Sequence, residues 1–83
     1  MKIWEYNYNG QSIIVKNTVA SCELLINGSL ADQKKGIMAE AVMVGTLKDG
    51  ERVTAELRSG LTVSCYVHVG DILQHPIEKN KIN

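Results

Sequence analysis

Eighty-three residues, 45% of them hydrophobic, suffice for one core and leave no material for a second. Nine basic residues balance nine acidic ones, so the basic excess with which nucleic-acid binders neutralise phosphate is missing, and zero net charge does little to keep two copies apart. No stretch approaches the roughly 20 apolar residues of a membrane span and no signal-peptide core opens the chain; the expected setting is the cytoplasm, with Cys22 and Cys65 as reduced thiols.

Along the chain, runs that alternate between apolar and polar residues are separated by Asn9-Gly10, Asn27-Gly28, Asp49-Gly50 and Ser59-Gly60. Asn-Gly and Asp-Gly suit tight hairpins because both central positions of a type I′ turn need positive φ. Trp4, Tyr6 and Tyr8 share one face of a first strand, against Glu5, Asn7 and Asn9. Ile13 and Val15 oppose Ser12, Ile14 and Lys16 in a second; Cys22, Leu24 and Ile26 oppose Glu23, Leu25 and Asn27 in a third. From Ser29 to Val44 the composition also suits a helix, with Ser29 as its cap, but Gly36 would cost about 1 kcal/mol relative to alanine in the helix interior. The preferred reading is a loop or irregular strand over 30–36 and a long strand over 37–47. Val53, Ala55 and Leu57 against Arg52, Thr54, Glu56 and Arg58 give the cleanest period of two, followed by Val63, Cys65, Val67 and Val69 against Thr62, Ser64, Tyr66 and His68. These signals predict an all-β fold, a small antiparallel β-sandwich of about six to eight strands joined by tight glycine turns. The expected domain covers residues 1–76, with 77–83 a flexible tail.

The halves echo one another. Asn9 to Lys16 parallels Asp49 to Glu56, each half then reaches Ser-Cys (Ser21-Cys22, Ser64-Cys65), and each ends beyond a glycine turn in a leucine, Leu30 and Leu73. The pattern is consistent with two pseudo-symmetric halves, and equally with the general likeness of hairpin-forming segments.

Trp4-Glu5-Tyr6 followed by Gly10 and Ile13-Ile14-Val15-Lys16-Asn17, then Glu23 to Leu30, Val44 to Gly50, Val53 to Leu57 and Cys65 to Leu73, resembles the Fas apoptosis inhibitory molecule domain and its small bacterial relatives. The resemblance spans Trp4 to Leu73. Thr18-Val19-Ala20-Ser21 departs from it, standing where the family often has aromatic residues, and so does Gly70-Asp71, standing where Asp-Gly is expected. It implies a compact antiparallel β-sandwich that works through protein association, with no enzymatic activity and no catalytic residue to carry over.

Read as chemistry, the residues offer little. Cys65 and His68 have a zinc-like spacing, but residues three apart on a strand point to opposite faces and cannot easily share an ion. Cys65 is expected in the core, where a thiol is a poor nucleophile. Glu40, Asp49, Glu51, Glu56 and Asp71 read as turn residues or solvated partners of basic side chains, so neither catalytic nor metal-binding residues nor a cofactor are expected. The oddity is apolar residues on the outward face, Ile14, Leu25, Val42 and Val44: a strand apolar on both sides is buried twice or presents a patch to a partner. The expectation is a non-enzymatic protein-interaction module that binds another protein or a second copy through an apolar sheet face or strand edge. Two alternatives are a small-molecule site between the sheets lined by Trp4 and Tyr66, and a redox-sensing thiol protein using Cys22 and Cys65.

Overall fold

Among the described residues, period-two alternation broken by turns resolves into eight antiparallel strands. The computed structural model describes residues 1–36 and 40–78. Strands β1 (Lys2–Tyr8), β2 (Gln11–Asn17), β3 (Ser21–Ile26) and β4 (Ser29–Lys35) form one four-stranded sheet in chain order; β5 (Glu40–Thr46), β6 (Arg52–Arg58), β7 (Ser64–Val69) and β8 (Ile72–Gln74) form the other. The sheets face each other across one core. Tyr6, Ile13, Val15, Cys22, Leu24 and Ile26 enter it from the first sheet, and Met43, Leu47, Val53, Ala55, Leu57, Val67 and Val69 from the second. The faces predicted inward from alternation are the ones turned to the core, with Trp4, Tyr8, Val63 and Cys65 only partly buried at its margin. Among the described residues no helix is long and apolar enough to cross a membrane.

The turns follow their residues' conformational freedom. Asn9 and Gly10 have φ of 50° and 80°, Asn27 and Gly28 51° and 84°, as two-residue type I′ hairpins require. At Gly70-Asp71 only the glycine has positive φ, which is what a type II′ turn demands and why the order of the two residues is reversed there. Asp49-Gly50 is not the expected two-residue turn: Gly50 alone has positive φ, its N–H donates to Leu47 O, and Leu47 N–H donates to Glu51 O, so the connection is a longer loop. Ser59-Gly60 likewise opens a loop between β6 and β7 rather than a tight turn.

The ambiguous region is extended. β4 pairs along β3 with a register shift between Leu24 and Leu25, an irregular strand rather than a helix. The strand expected over 37–47 is observed over Glu40–Thr46; positions 37–39 lie outside the described residues. The tail expected from 77 onward begins with an anchored residue, since Ile77 N–H donates to Glu5 O at 2.7 Å; positions 79–83 lie outside the described residues.

The internal echo has a structural counterpart. Each half is a four-stranded meander, and the matched turns join the first to the second strand and the third to the fourth in both. The cross-strand row Glu5, Ile14, Leu25, Leu30 corresponds to Val44, Thr54, His68, Leu73. Cys22 and Cys65 occupy the third strands of the two halves, both turned toward the core.

Among the described residues no backbone ladder joins one sheet to the other; side chains do. Gln11 Oε1 accepts from Lys48 N–H at 2.9 Å and Tyr8 Oη donates to Glu51 at 3.4 Å near one end. Lys2 Nζ donates to Val63 O at 3.1 Å at the other. Midway along β5, Asp32 accepts from Val44 N–H at 3.0 Å. The strand carrying Val44 also contains Gly45, where a β-carbon would stand 2.5 Å from Ile26 Cδ1 and 3.0 Å from Ala31 Cβ.

Candidate interaction surface

The four apolar residues predicted to face outward do so on two different surfaces. Ile14 and Leu25 are neighbours on the outer face of the β1–β4 sheet, where both are half-buried. Val42 and Val44 lie on the outer face of the β5–β8 sheet, 51% and 36% exposed. A single patch made of all four does not exist in this fold.

The β5–β8 face is the more open one. Across its strands run the rows Val44, Thr54, His68, Leu73 and Val42, Glu56, Tyr66. Tyr66 is 40% and Leu73 45% exposed, so apolar side chains on β5 and on β7–β8 flank a ridge formed by Thr54 and Glu56 of β6. Beside it Arg58 is held in place twice: its Nε donates to Glu56 at 3.1 Å, and its guanidinium sits 5.4 Å from the centre of the Tyr66 ring. On the other sheet Leu30 and Ile3 are also exposed, but between them lie Ile14, Leu25 and the polar row Lys16, Glu23, Gln33, where Gln33 Nε2 donates to Glu23 at 3.0 Å.

No family model, curated protein or solved structure matches the chain.

Both thiols turn toward the core, Cys22 buried and Cys65 partly so. Burial pushes both upward in pKa, Cys22 with further opposition from Asp32. Cys65 accepts a hydrogen bond from the Tyr6 hydroxyl at 3.5 Å, and burial together with this contact drives Tyr6 above the ordinary phenol range. A thiol held neutral attacks slowly. His68 stands on the opposite side of β7 from Cys65, opposite Thr54 and Leu73; among the described residues no three of His, Cys, Asp and Glu gather as a metal would need.

Nor do Trp4 and Tyr66 share a pocket. Trp4 packs against the core from β1, whereas Tyr66 points out of the opposite sheet. A recess at the end of the sandwich near the β2–β3 turn, lined by Thr18, Ser21, Cys22, Ala41, Leu57 and Val63 among others, has a volume of about 240 Å³, below the roughly 300–1,000 Å³ of typical ligand sites; a shallower one near the β3–β4 turn, lined by Ile26, Leu30, Ala31 and Leu47 among others, has about 380 Å³, at the lower end of that range. Part of the first recess's polar lining is already committed: Thr18 Oγ1 accepts from Ser21 N–H at 3.0 Å and shares a 3.1 Å hydroxyl contact with Ser21 Oγ.

Sequence alternation identified Val42 and Val44 as outward and apolar but could not single out Tyr66, Arg58 and Leu73. Their grouping comes from the register that brings the strands side by side. Leu73 did leave one trace in the sequence, as the counterpart of Leu30 in the internal echo.

Proposed function

We propose that this domain is a non-catalytic protein-association module whose contact surface is the outward face of the β5–β8 sheet. The observation that carries the reading is the Glu56–Arg58–Tyr66 arrangement between the exposed Val42, Val44 and Leu73. Tyr and Arg are the side chains that most often dominate binding energy, and a pair already held in one geometry loses less freedom when a partner docks. The non-catalytic part of the reading is supported by two thiols held neutral and by a histidine turned away from them. The resemblance to Fas apoptosis inhibitory molecule domains, carried by short segments from Trp4 to Leu73, points toward the same class of function.

The test compares wild type with Tyr66→Glu and Leu73→Lys as baits in the host lysate and in sedimentation. Both residues are outward, so the circular dichroism spectrum and melting temperature are expected to stay within a few degrees of wild type. Association is expected to weaken by tenfold or more, the scale of a truncated interface anchor. Folded variants that hold every partner as tightly as wild type would refute the assignment of this face.

A further inference from the structure

Asn9-Gly10 and Asn27-Gly28 are the same dipeptide in the same kind of turn, yet the fold treats them differently. Both pairs are exposed, and all four residues have positive φ. In each, a side-chain carboxamide carbon is followed in the chain by a glycine nitrogen that no β-carbon shields. The electrophile and the nucleophile of a five-membered ring closure are therefore present twice. What differs is which of the two each turn holds.

At the second turn the carboxamide is held. Asn27 Oδ1 accepts from Ser12 N–H at 3.0 Å, and Asn27 Nδ2 donates to Gln11 Oε1 at 3.4 Å. Gln11 Oε1 is itself anchored by Lys48 N–H from the opposite sheet at 2.9 Å, and Asn27 N–H donates to Ser12 O at 2.8 Å. The amide lies against the start of β2, and both of its contacts have to break before its carbon can turn toward Gly28. At the first turn, among the described residues, no hydrogen bond reaches the Asn9 side chain. There the nitrogen is held instead, by one exposed bond: Gly10 N–H donates to Asn7 Oδ1 at 3.1 Å.

We propose that Asn9 is a site of spontaneous deamidation, that Asn7 restrains its rate, and that Asn27 is protected by its place in the polar network. In the first step Gly10 N attacks Asn9 Cγ. The new Cγ–N bond replaces Cγ–Nδ2, the Gly10 N–H proton leaves with Nδ2 as ammonia, and a succinimide remains. Water then adds to one of the two ring carbonyls and opens the ring. Breaking the bond from Gly10 N to Cγ gives aspartate; breaking the bond from Gly10 N to the main-chain carbonyl carbon gives isoaspartate, whose backbone runs through Cγ. Water is the only co-reactant, and no redox change occurs. Either product adds one negative charge to a chain of zero net charge. Aspartate suits the turn as asparagine does. Isoaspartate lengthens the backbone by one carbon, which a two-residue turn that sets Tyr8 opposite Gln11 cannot absorb without disturbing the β1–β2 register.

The test is peptide-mapping mass spectrometry of the full chain incubated at mildly alkaline pH, folded and in guanidinium chloride, with aspartate and isoaspartate products separated. In the folded protein Asn9 is expected to convert about twofold to tenfold faster than Asn27, the worth of the extra exposed hydrogen bond at the second turn. Asn7→Ala is expected to speed Asn9 by a similar factor and to leave Asn27 unchanged; Asn7→Asp, which keeps the acceptor, is expected to stay near the wild-type rate. In denaturant, where both turns are lost, the two sites are expected to react at similar rates. Asn27 serves as the internal control, because general loosening of the fold speeds both sites. Folded protein in which Asn27 converts as fast as Asn9, or in which neither converts, overturns the proposal. So does a difference that survives in denaturant, or an Asn7→Ala variant that speeds neither site or both alike.

Discussion

Replacing Gly45 with alanine tests how closely the two sheets meet. Gly45 lacks positive φ, so alanine is conformationally permitted there, and the change should by itself stabilise by about 0.4–1 kcal/mol through a less flexible unfolded chain. Opposing this, the added methyl would lie 2.5 Å from Ile26 Cδ1, 3.0 Å from Ala31 Cβ and 3.4 Å from Leu24 Cδ2. Ile26 Cδ1 can swing aside, but Ala31 Cβ is fixed to the backbone and can yield only if β4 moves. Overpacking of this kind typically costs about 1–3 kcal/mol. The net expectation is a loss of about 1–2 kcal/mol out of the roughly 4–12 kcal/mol available to a domain of this size. In a domain so small this lowers the melting temperature by about 5–15 °C. Urea and thermal unfolding of Gly45→Ala, Ile26→Val and the double variant form a cycle. Ile26→Val removes Cδ1 and should cost about 0.5–1.5 kcal/mol alone, but less in the Gly45→Ala background, giving a favourable coupling above about 0.5 kcal/mol. A Gly45→Ala protein as stable as wild type, or strict additivity in the cycle, would refute the close approach.

Two further predictions concern titrating groups. Because burial raises both Cys22 and Cys65, modification of the native protein by a thiol reagent at neutral pH is expected to be slow at both and to accelerate in denaturant; rapid native modification of either would contradict the buried-thiol picture. The Asp32 carboxyl is held below its ordinary value of 3.8, chiefly by the hydrogen bond from Val44 N–H and also by that from Gln33 N–H at 2.8 Å. A carboxyl depressed in the folded state contributes stability that is present above its unfolded pKa and is lost as pH falls through the folded one. Asp32→Ala should therefore be less stable than wild type at neutral pH, with the difference shrinking below pH 3.8 in acid unfolding curves. A difference that is constant across that range would remove Asp32 as the cause.

The faces of the sheets were legible because they depend on one strand at a time. Val53, Ala55 and Leu57 alternate with charged or hydroxyl residues, and each is buried as that pattern requires. Turn geometry was legible where the dipeptide is sufficient, at Asn9-Gly10 and Asn27-Gly28, and not at Asp49-Gly50, where loop length depends on how Leu47 and Glu51 close it. Residues 30–35 carry helix-favouring side chains, yet pairing along β3 gives their backbone the partners that a helix would have given. The candidate surface was the least visible. Ile14 and Leu25 match Val42 and Val44 in sequence character, and only the division of the chain into two sheets puts them on separate faces. Arg58 stacks on Tyr66 across two strands, and no local pattern encodes that contact. Asp32 lies in the stretch whose composition also suits a helix, yet its carboxylate reaches across to the opposite sheet.

Among the described residues every ladder joins strands that are consecutive in the chain, and the connections within each sheet are two to five residues long. Closing such short loops loses little entropy, so each leaf can zip hairpin by hairpin without a distant segment having to arrive first. Only the meeting of the two leaves requires residues far apart in sequence to find one another. The topology thus gathers the long-range search into one docking event, where sandwiches with crossed-over strands spread it over many.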